Sequence, residues 1–141
     1  MTQTLSMLDS SPADIGFDTE ALATCIDACL ECAQTCSACA DSCLAESNVT
    51  ELRRCITLDL NCADVCMAAG RALSRQTEYA AAMTAAILEA CAESCRLCGD
   101  ECSRHGDHMR HCQLCAEACQ RCEQACRQLL GAASQASRPT G

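Results

Sequence analysis

The chain has 141 residues, with 19 acidic residues against 10 basic residues and a formal net charge of −9. It contains 18 cysteines, no tryptophan, one phenylalanine and one tyrosine. The length suits one domain, and the acidic charge and lack of base-stacking aromatics argue against nucleic acid as a partner. Aromatic side chains usually fill much of a core, and this chain has almost none. Cysteine, which packs as a small apolar residue, is the abundant side chain that can take their place.

The N-terminal residues lack the basic segment, apolar run and cleavage site of a secretory signal. No apolar stretch approaches the roughly 20 residues that cross a membrane. We therefore expect a cytoplasmic protein with no membrane partner, in a reducing compartment where dense cysteines more often bind metal than form disulfides. Residues 1–17 should form a flexible N-terminal arm, residues 18–132 the folded domain and residues 133–141 a disordered tail.

Good helix formers dominate the central region and no proline interrupts it, which predicts an all-α domain. Four helices are predicted, at about 19–46, 49–75, from a cap at Thr77 to about 104, and from a cap at Asp107 to about 131. Asp18 or Thr19 is predicted to cap the first helix, and Asn48 with Glu51 forms a capping-box-like start for the second. Gly106 is predicted to end the third helix in a left-handed conformation. Short connections make successive helices antiparallel, which gives an up-down-up-down four-helix bundle.

The cysteines on each predicted helix are spaced alternately by three and four residues. Asp59 occupies a position in the second helix where this alternation calls for a cysteine. Such spacing places residues on the face by which a helix meets its bundle partners, so we expect a cysteine-lined core. The cysteines are Cys25, Cys29, Cys32, Cys36, Cys39, Cys43, Cys55, Cys62, Cys66, Cys91, Cys95, Cys98, Cys102, Cys112, Cys115, Cys119, Cys122 and Cys126.

A column of thiols indicates metal binding more strongly than crosslinking. Cβ atoms three or four residues apart on a helix are about 5–6 Å apart, whereas a disulfide needs about 3.5–4.5 Å. Soft thiolates select Cu(I), zinc or iron–sulfur clusters. Zinc takes four ligands per ion, but Cu(I) is satisfied by two or three sulfurs. If each thiolate bridges two ions, the protein would bind multiple Cu(I) ions, about one per cysteine.

Three alternatives remain open. The first is sequestration of zinc or cadmium by thiolates in the manner of a metallothionein. An iron–sulfur protein is less favoured, because its ligands normally come from loops with closer spacing. A thiol redox enzyme would need an exposed CxxC of low pKa at a helix N-terminus, whereas these thiols lie along helix middles.

The repeated CxxxCxxCxxxC pattern on predicted helices resembles the bacterial copper storage protein family over about residues 19–131, and the lack of a leader is similar to its cytosolic branch. The resemblance implies a homotetramer of four-helix bundles, Cu(I) bound inside each protomer and no catalytic role. Copper ions could be delivered by copper chaperones or chelators. Asp59 departs from the family pattern and leaves copper ligation at its level open.

The two ends of the predicted bundle differ in character. His105, His108 and Met109 extend the cysteine rows at one end, and imidazole and thioether are copper ligands. We expect this end to be the mouth where Cu(I) enters, with His105 and His108 binding one further ion; they could equally flank an exposed turn. His111 falls outside the alternation and is expected to be solvated.

Asp59 should face the core near the same end and support the thiols, since a hard carboxylate is a poor ligand for Cu(I). At the opposite end the rows continue as leucines, which should form a dry apolar plug. These leucines are Leu22, Leu73, Leu88 and Leu129.

Overall fold

Four long helices and one short helix make up the fold. The structure is a computed structural model that describes residues 2–136, and it contains α1 (Gln3–Ser10), α2 (Thr19–Leu44), α3 (Arg53–Leu73), α4 (Ala81–Ser103) and α5 (Arg110–Ala136). A single 3₁₀ turn, Val49–Leu52, leads into α3. The all-α prediction is confirmed. None of the helices within residues 2–136 has both the length and the hydropathy that crossing a membrane requires.

The four long helices form a bundle in which each lies beside two others. Helix α2 packs against α3 and α5, and α4 packs against the same two helices from the opposite corner. Cys25, near the start of α2, lies 3.9 Å in sulfur–sulfur distance from Cys126, near the end of α5. Cys39, near the end of α2, lies 3.9 Å from Cys112, near the start of α5. These contacts mean that α2 and α5 run in opposite directions.

The start of α2 follows the sequence prediction. Asp18 caps the helix, and its side chain accepts a hydrogen bond of 3.0 Å from the backbone N–H of Ala21. The cap satisfies one of the N–H groups that a helix start leaves without a partner.

The later helices begin three or four residues after their predicted starts, whereas the ends predicted near 46, 75 and 104 lie within two residues of the observed ones. Asn48 makes no side-chain capping bond, and α4 begins at Ala81 rather than near Thr77. Glu78, between them, has a positive φ of 54°, which breaks the helical path of the connection. Gly106 has no left-handed backbone, and α5 starts at Arg110, three residues beyond Asp107.

The segment expected to be a flexible arm contains regular structure. Residues 3–10 form α1, in which the Thr2 side chain accepts a hydrogen bond from the Leu5 N–H. Leu8 is buried, and the Thr4 hydroxyl donates a hydrogen bond to Asp27 of α2. The apolar face of α1 therefore fixes it to α2. At the other terminus α5 continues to Ala136, into the tail predicted for 133–141, and residues 137–141 lie outside the described region.

The predicted leucine plug is present at the end of the bundle where α3 ends and α4 begins. Its four leucines are all buried, at 0–3 % exposed: Leu22, Leu73, Leu88 and Leu129. Phe17 and Tyr79 stack edge to face with ring centroids 5.7 Å apart. We call this the leucine end, and we call the opposite end, which holds the α4–α5 connection, the histidine end.

Gly99 permits the close packing of α4 against α5. A Cβ added there would lie 3.2 Å from the Cβ of Cys119 and 3.8 Å from the Ala116 carbonyl oxygen. The absence of a side chain on α4 thus brings the cysteine rows of the two helices together.

Candidate metal centre

All 18 cysteines point into the bundle. Each is at most 1 % exposed to solvent, and each is a free thiol. The cysteine-lined core predicted from the alternation of three and four residues is therefore confirmed, and every sulfur lies in one continuous interior column.

Within the column the sulfurs form overlapping groups of four. In each group the four sulfur atoms lie within 4.8 Å of one another. From the leucine end the groups are Cys29–Cys91–Cys122–Cys126, Cys32–Cys66–Cys95–Cys122, Cys32–Cys36–Cys62–Cys119 and Cys36–Cys98–Cys115–Cys119. Each group shares at least one sulfur with another, so a metal in one group would have a thiolate in common with a metal in the next.

The separations between sulfurs suit bridging by metal ions. Cys66 and Cys91 are 3.5 Å apart across helices, and Cys32 and Cys36 are 3.7 Å apart within α2. A disulfide bond is only about 2.05 Å long, whereas two metal–sulfur bonds of about 2.3 Å each can join sulfurs at these separations. The CxxxC repeat on one helix and the contacts between helices thus provide equivalent two-sulfur clamps.

Asp59 lies among the thiols, as predicted, and accepts hydrogen bonds from several of them. Its Oδ1 atom is 3.0 Å from the sulfur of Cys98, 3.1 Å from that of Cys115 and 3.4 Å from that of Cys102. The carboxyl group is fully buried. Burial, followed by repulsion from Cys115, raises the pKa of Asp59 to about 8, since a charged carboxylate is costly away from water.

Protons occupy at least part of the thiol column before metal binds. Burial, followed by repulsion from Cys55 and Asp59, raises the pKa of the Cys43 thiol to about 12. Only the thiolate is a good metal ligand, so binding a metal ion at such a thiol releases a proton.

His111 was expected to be solvated, and that expectation is wrong. The ring is half-buried, and its Nδ1 atom lies 3.4 Å from the sulfur of Cys39 and 3.6 Å from that of Cys112. With Cys43 these residues form a fifth group of donors within 4.8 Å of one another. The sequence did contain one indication, which is that His111 directly precedes Cys112 at the start of α5. In that first turn, the direction of the helix decides whether the His111 side chain faces the sulfurs or the solvent.

His105 and His108, the two histidines predicted to bind metal, have different surroundings. The Nε2 atom of His105 lies 3.0 Å from Oε2 of Glu101, while His108 is exposed. Glu101 is buried and also contacts Arg54 and Arg104 at 3.4 and 3.6 Å. Glu101 was not among the predicted site residues, although Glu and His four residues apart on a helix can meet. Met109, the last residue of the connection between α4 and α5, is buried.

Comparison with known proteins agrees with this architecture. The sequence model of the copper storage protein family matches residues 18–131. A copper storage protein from Streptomyces lividans, loaded with 10 copper equivalents, is 53 % identical with a TM-score of 0.90, covering 92 % of this chain and 98 % of that one. A structure showing five coppers in a cytosolic copper storage protein from Streptomyces lividans is 56 % identical with a TM-score of 0.78, covering 79 % of this chain and 93 % of that one.

A cysteine-rich protein of Bacillus subtilis, itself uncharacterized, is 41 % identical over 92 residues, which are 65 % of this chain and 80 % of that protein. The family match covers the bundle except for the last turn of α5, and it includes every residue that contributes a sulfur. The cysteine column is thus found within the region by which the family is defined. This chain belongs to the copper storage protein family.

Proposed function

We propose that this protein binds and stores Cu(I) in the cytoplasm, at about one ion per cysteine, and catalyses no reaction. The observation that carries the proposal is the overlap of the four-sulfur groups. Shared sulfurs favour a metal that accepts bridging thiolates and few ligands, which is the preference of Cu(I). Separate zinc sites would each need four sulfurs of their own.

Electrical charge supports the same choice. One Cu⁺ neutralises one thiolate, so a filled column with equal numbers of copper and sulfur carries no net charge from its metal sites. Each Zn(II) bound by four unshared thiolates would leave two negative charges in the core. Buried charge without a partner is strongly unfavourable. Among the described residues the buried polar side chains are Asp59, Gln76 and Glu101, none of which is a cation that could balance such a charge.

The proposed ligands are the 18 cysteines, with the three histidines at the entrance. For His105, the contact of Nε2 with Glu101 leaves Nδ1 as the atom available to copper. His108 is exposed and would meet copper as it arrives from solution. His111 adds Nδ1 directly to the sulfurs of Cys39 and Cys112.

The Streptomyces relatives support storage in the cytoplasm, because one holds 10 copper equivalents and one is a cytosolic protein. We further propose that copper arrives on chaperones or small chelators and that the protein is a homotetramer. Leu60 and Met67 on α3 are 48 % and 41 % exposed and could lie in a subunit interface. Sedimentation equilibrium tests the assembly, and a monomeric mass would contradict it.

Anaerobic titration of the reduced protein with Cu(I), in competition with a copper chelator, tests the storage function. We expect about 18 equivalents to bind, since bridging allows one copper per thiolate. A parallel titration with Zn(II) is the control. Saturation with only a few Zn(II) ions, together with weaker binding of copper, would establish the zinc-sequestration alternative instead.

A further inference from the structure

One donor group differs in chemistry from the four groups of cysteines. It consists of Cys39 and Cys43 at the end of α2 and of His111 and Cys112 at the start of α5. We call it the Cys₃His set. None of its donors belongs to the four-sulfur groups described above. It therefore offers four ligands that none of those four groups uses, with an imidazole as one of them.

The separations among Cys39, Cys112 and His111 match those of a tetrahedron around zinc. With Zn–S bonds of about 2.3 Å and a Zn–N bond of about 2.05 Å, tetrahedral angles put sulfurs about 3.8 Å apart and nitrogen about 3.6 Å from each sulfur. The sulfurs of Cys39 and Cys112 are 3.9 Å apart. Nδ1 of His111 lies 3.4 and 3.6 Å from them, so these three ligands need little movement to accept the ion. The Cys43 sulfur lies within 4.8 Å of each of them.

The direction of the His111 ring agrees with a metal on its Nδ1 side. Nδ1 faces the two sulfurs, and Nε2 is buried with no hydrogen-bond partner among the described residues. A neutral imidazole has one protonated and one unprotonated nitrogen. Binding through Nδ1 places the proton on Nε2 and the lone pair on the atom that meets the thiols.

The net charge of a zinc complex would be smaller at the Cys₃His set than at a group of four cysteines. Zn(II) with three thiolates and a neutral imidazole leaves one negative charge, whereas Zn(II) with four thiolates leaves two. The cost of burying an ion grows steeply with its charge. The half-buried His111 also places the Cys₃His set nearer to solvent than the fully buried sulfur groups, which lowers that cost further.

We propose that in the copper-free protein the Cys₃His set binds a single Zn(II) ion, which Cu(I) replaces as the column fills. The site lies at the histidine end, where the copper-storage proposal places the entrance. A zinc ion there would bind α2 to α5 in the copper-free protein, and incoming Cu(I) would have to displace it. Before copper fills the column, the protein then has two kinds of metal site: the Cys₃His set for one Zn(II) ion and the shared sulfur groups for Cu(I).

The test uses the full-length, reduced, copper-free protein and Zn(II) alone, in anaerobic competition with a chromophoric zinc chelator. We expect one equivalent to bind at least tenfold more tightly than any later equivalent. Co(II) substituted for Zn(II) should give the intense visible bands of a tetrahedral site with sulfur ligands. The His111→Ala variant should lose the tight equivalent, and His108→Ala, an exposed histidine three residues away, should keep it.

Three results would overturn the proposal: no tight equivalent, several equivalents of equal affinity, or a tight equivalent that survives His111→Ala. Circular dichroism of each variant verifies that the helices are intact. Cys43→Ser is a second variant that removes a ligand with little change of shape, and it should weaken zinc binding in the same way. A Cu(I) titration of the wild type keeps the two proposals apart: failure to bind about 18 equivalents would count against copper storage, and the zinc titration of the copper-free protein would be unaffected by that failure.

Discussion

The two ends of the bundle are built from the same four helices but have opposite chemistry. At the leucine end the inward positions are filled by Leu22, Leu73, Leu88 and Leu129, all buried. At the histidine end the inward positions carry thiols that contact His111, and Asp59 lies just inside. An apolar end is stabilised by burial alone, whereas the polar end is costly without metal and gains most from binding one.

Replacing Asp59 tests the cost of the polar end, and it has the largest expected effect on stability. The folded-state pKa of about 8 lies above the ordinary value of 3.8, so the folded protein holds a proton that the unfolded chain releases. The stabilisation is complete below about pH 4 and is lost as the pH rises to about 8, at up to roughly 1.4 kcal/mol per pH unit. The Asp59→Asn variant should lack this dependence.

Urea unfolding of the reduced, copper-free protein at several pH values between about 5 and 8 measures the slope. Asp64→Asn, an exposed aspartate on the same helix, is the matched control and should behave as the wild type. Equal slopes for the wild type and Asp59→Asn would show that this carboxyl group titrates normally.

Truncating a leucine tests the apolar end. Leu88 is fully buried, and a Leu88→Ala change should lower the free energy of unfolding of the copper-free protein by about 3 kcal/mol through lost burial and a cavity. Copper capacity should stay unchanged, because no ligand is removed. Leu114→Ala on α5, where the side chain is 42 % exposed, should cost at most about 0.5 kcal/mol. Loss of copper capacity in Leu88→Ala would mean that the ends are not independent.

The rate of Cu(I) uptake tests at which end of the bundle copper enters. In the His105→Ala/His108→Ala double variant we expect the initial uptake of Cu(I) from a chelator complex to fall about threefold to tenfold, or about 0.7–1.4 kcal/mol in activation free energy. The reason is the loss of both histidines proposed to meet arriving copper. Stopped-flow absorbance measures the rate. Tyr79→Ala at the leucine end is the control, and an unchanged rate in the double variant would remove the entrance from the histidine end.

The smallest effect should come from the ion pairs at the histidine end. Arg54 lies 3.4 Å from Glu101, but its side chain is 67 % exposed. Exposed pairs of this kind contribute about 0–1 kcal/mol, so Arg54→Ala should change the unfolding free energy by less than about 1 kcal/mol. Any effect should shrink in high salt. A larger loss would show that Glu101 depends on this arginine to hold its position beside His105.

The sequence predicted the cysteine column because a spacing of three and four residues leaves a helix only one inward face. The same reasoning located Asp59 and the four leucines, which continue that spacing. The helix starts were predicted less well. Thr77 and Asp107 have the right side chains for caps, but the connections around Glu78 and Gly106 are longer than their composition indicates.

The sequence by itself thus determined the helical class and the inward direction of every sulfur, since these follow from periodicity within single helices. Only the tertiary structure decided which sulfurs share a group, that His105 turns to Glu101, and that His111 joins Cys39, Cys43 and Cys112. Those contacts join residues on different helices or in the turns between them. Their distances depend on how α2, α4 and α5 pack, which a pattern along one helix does not contain.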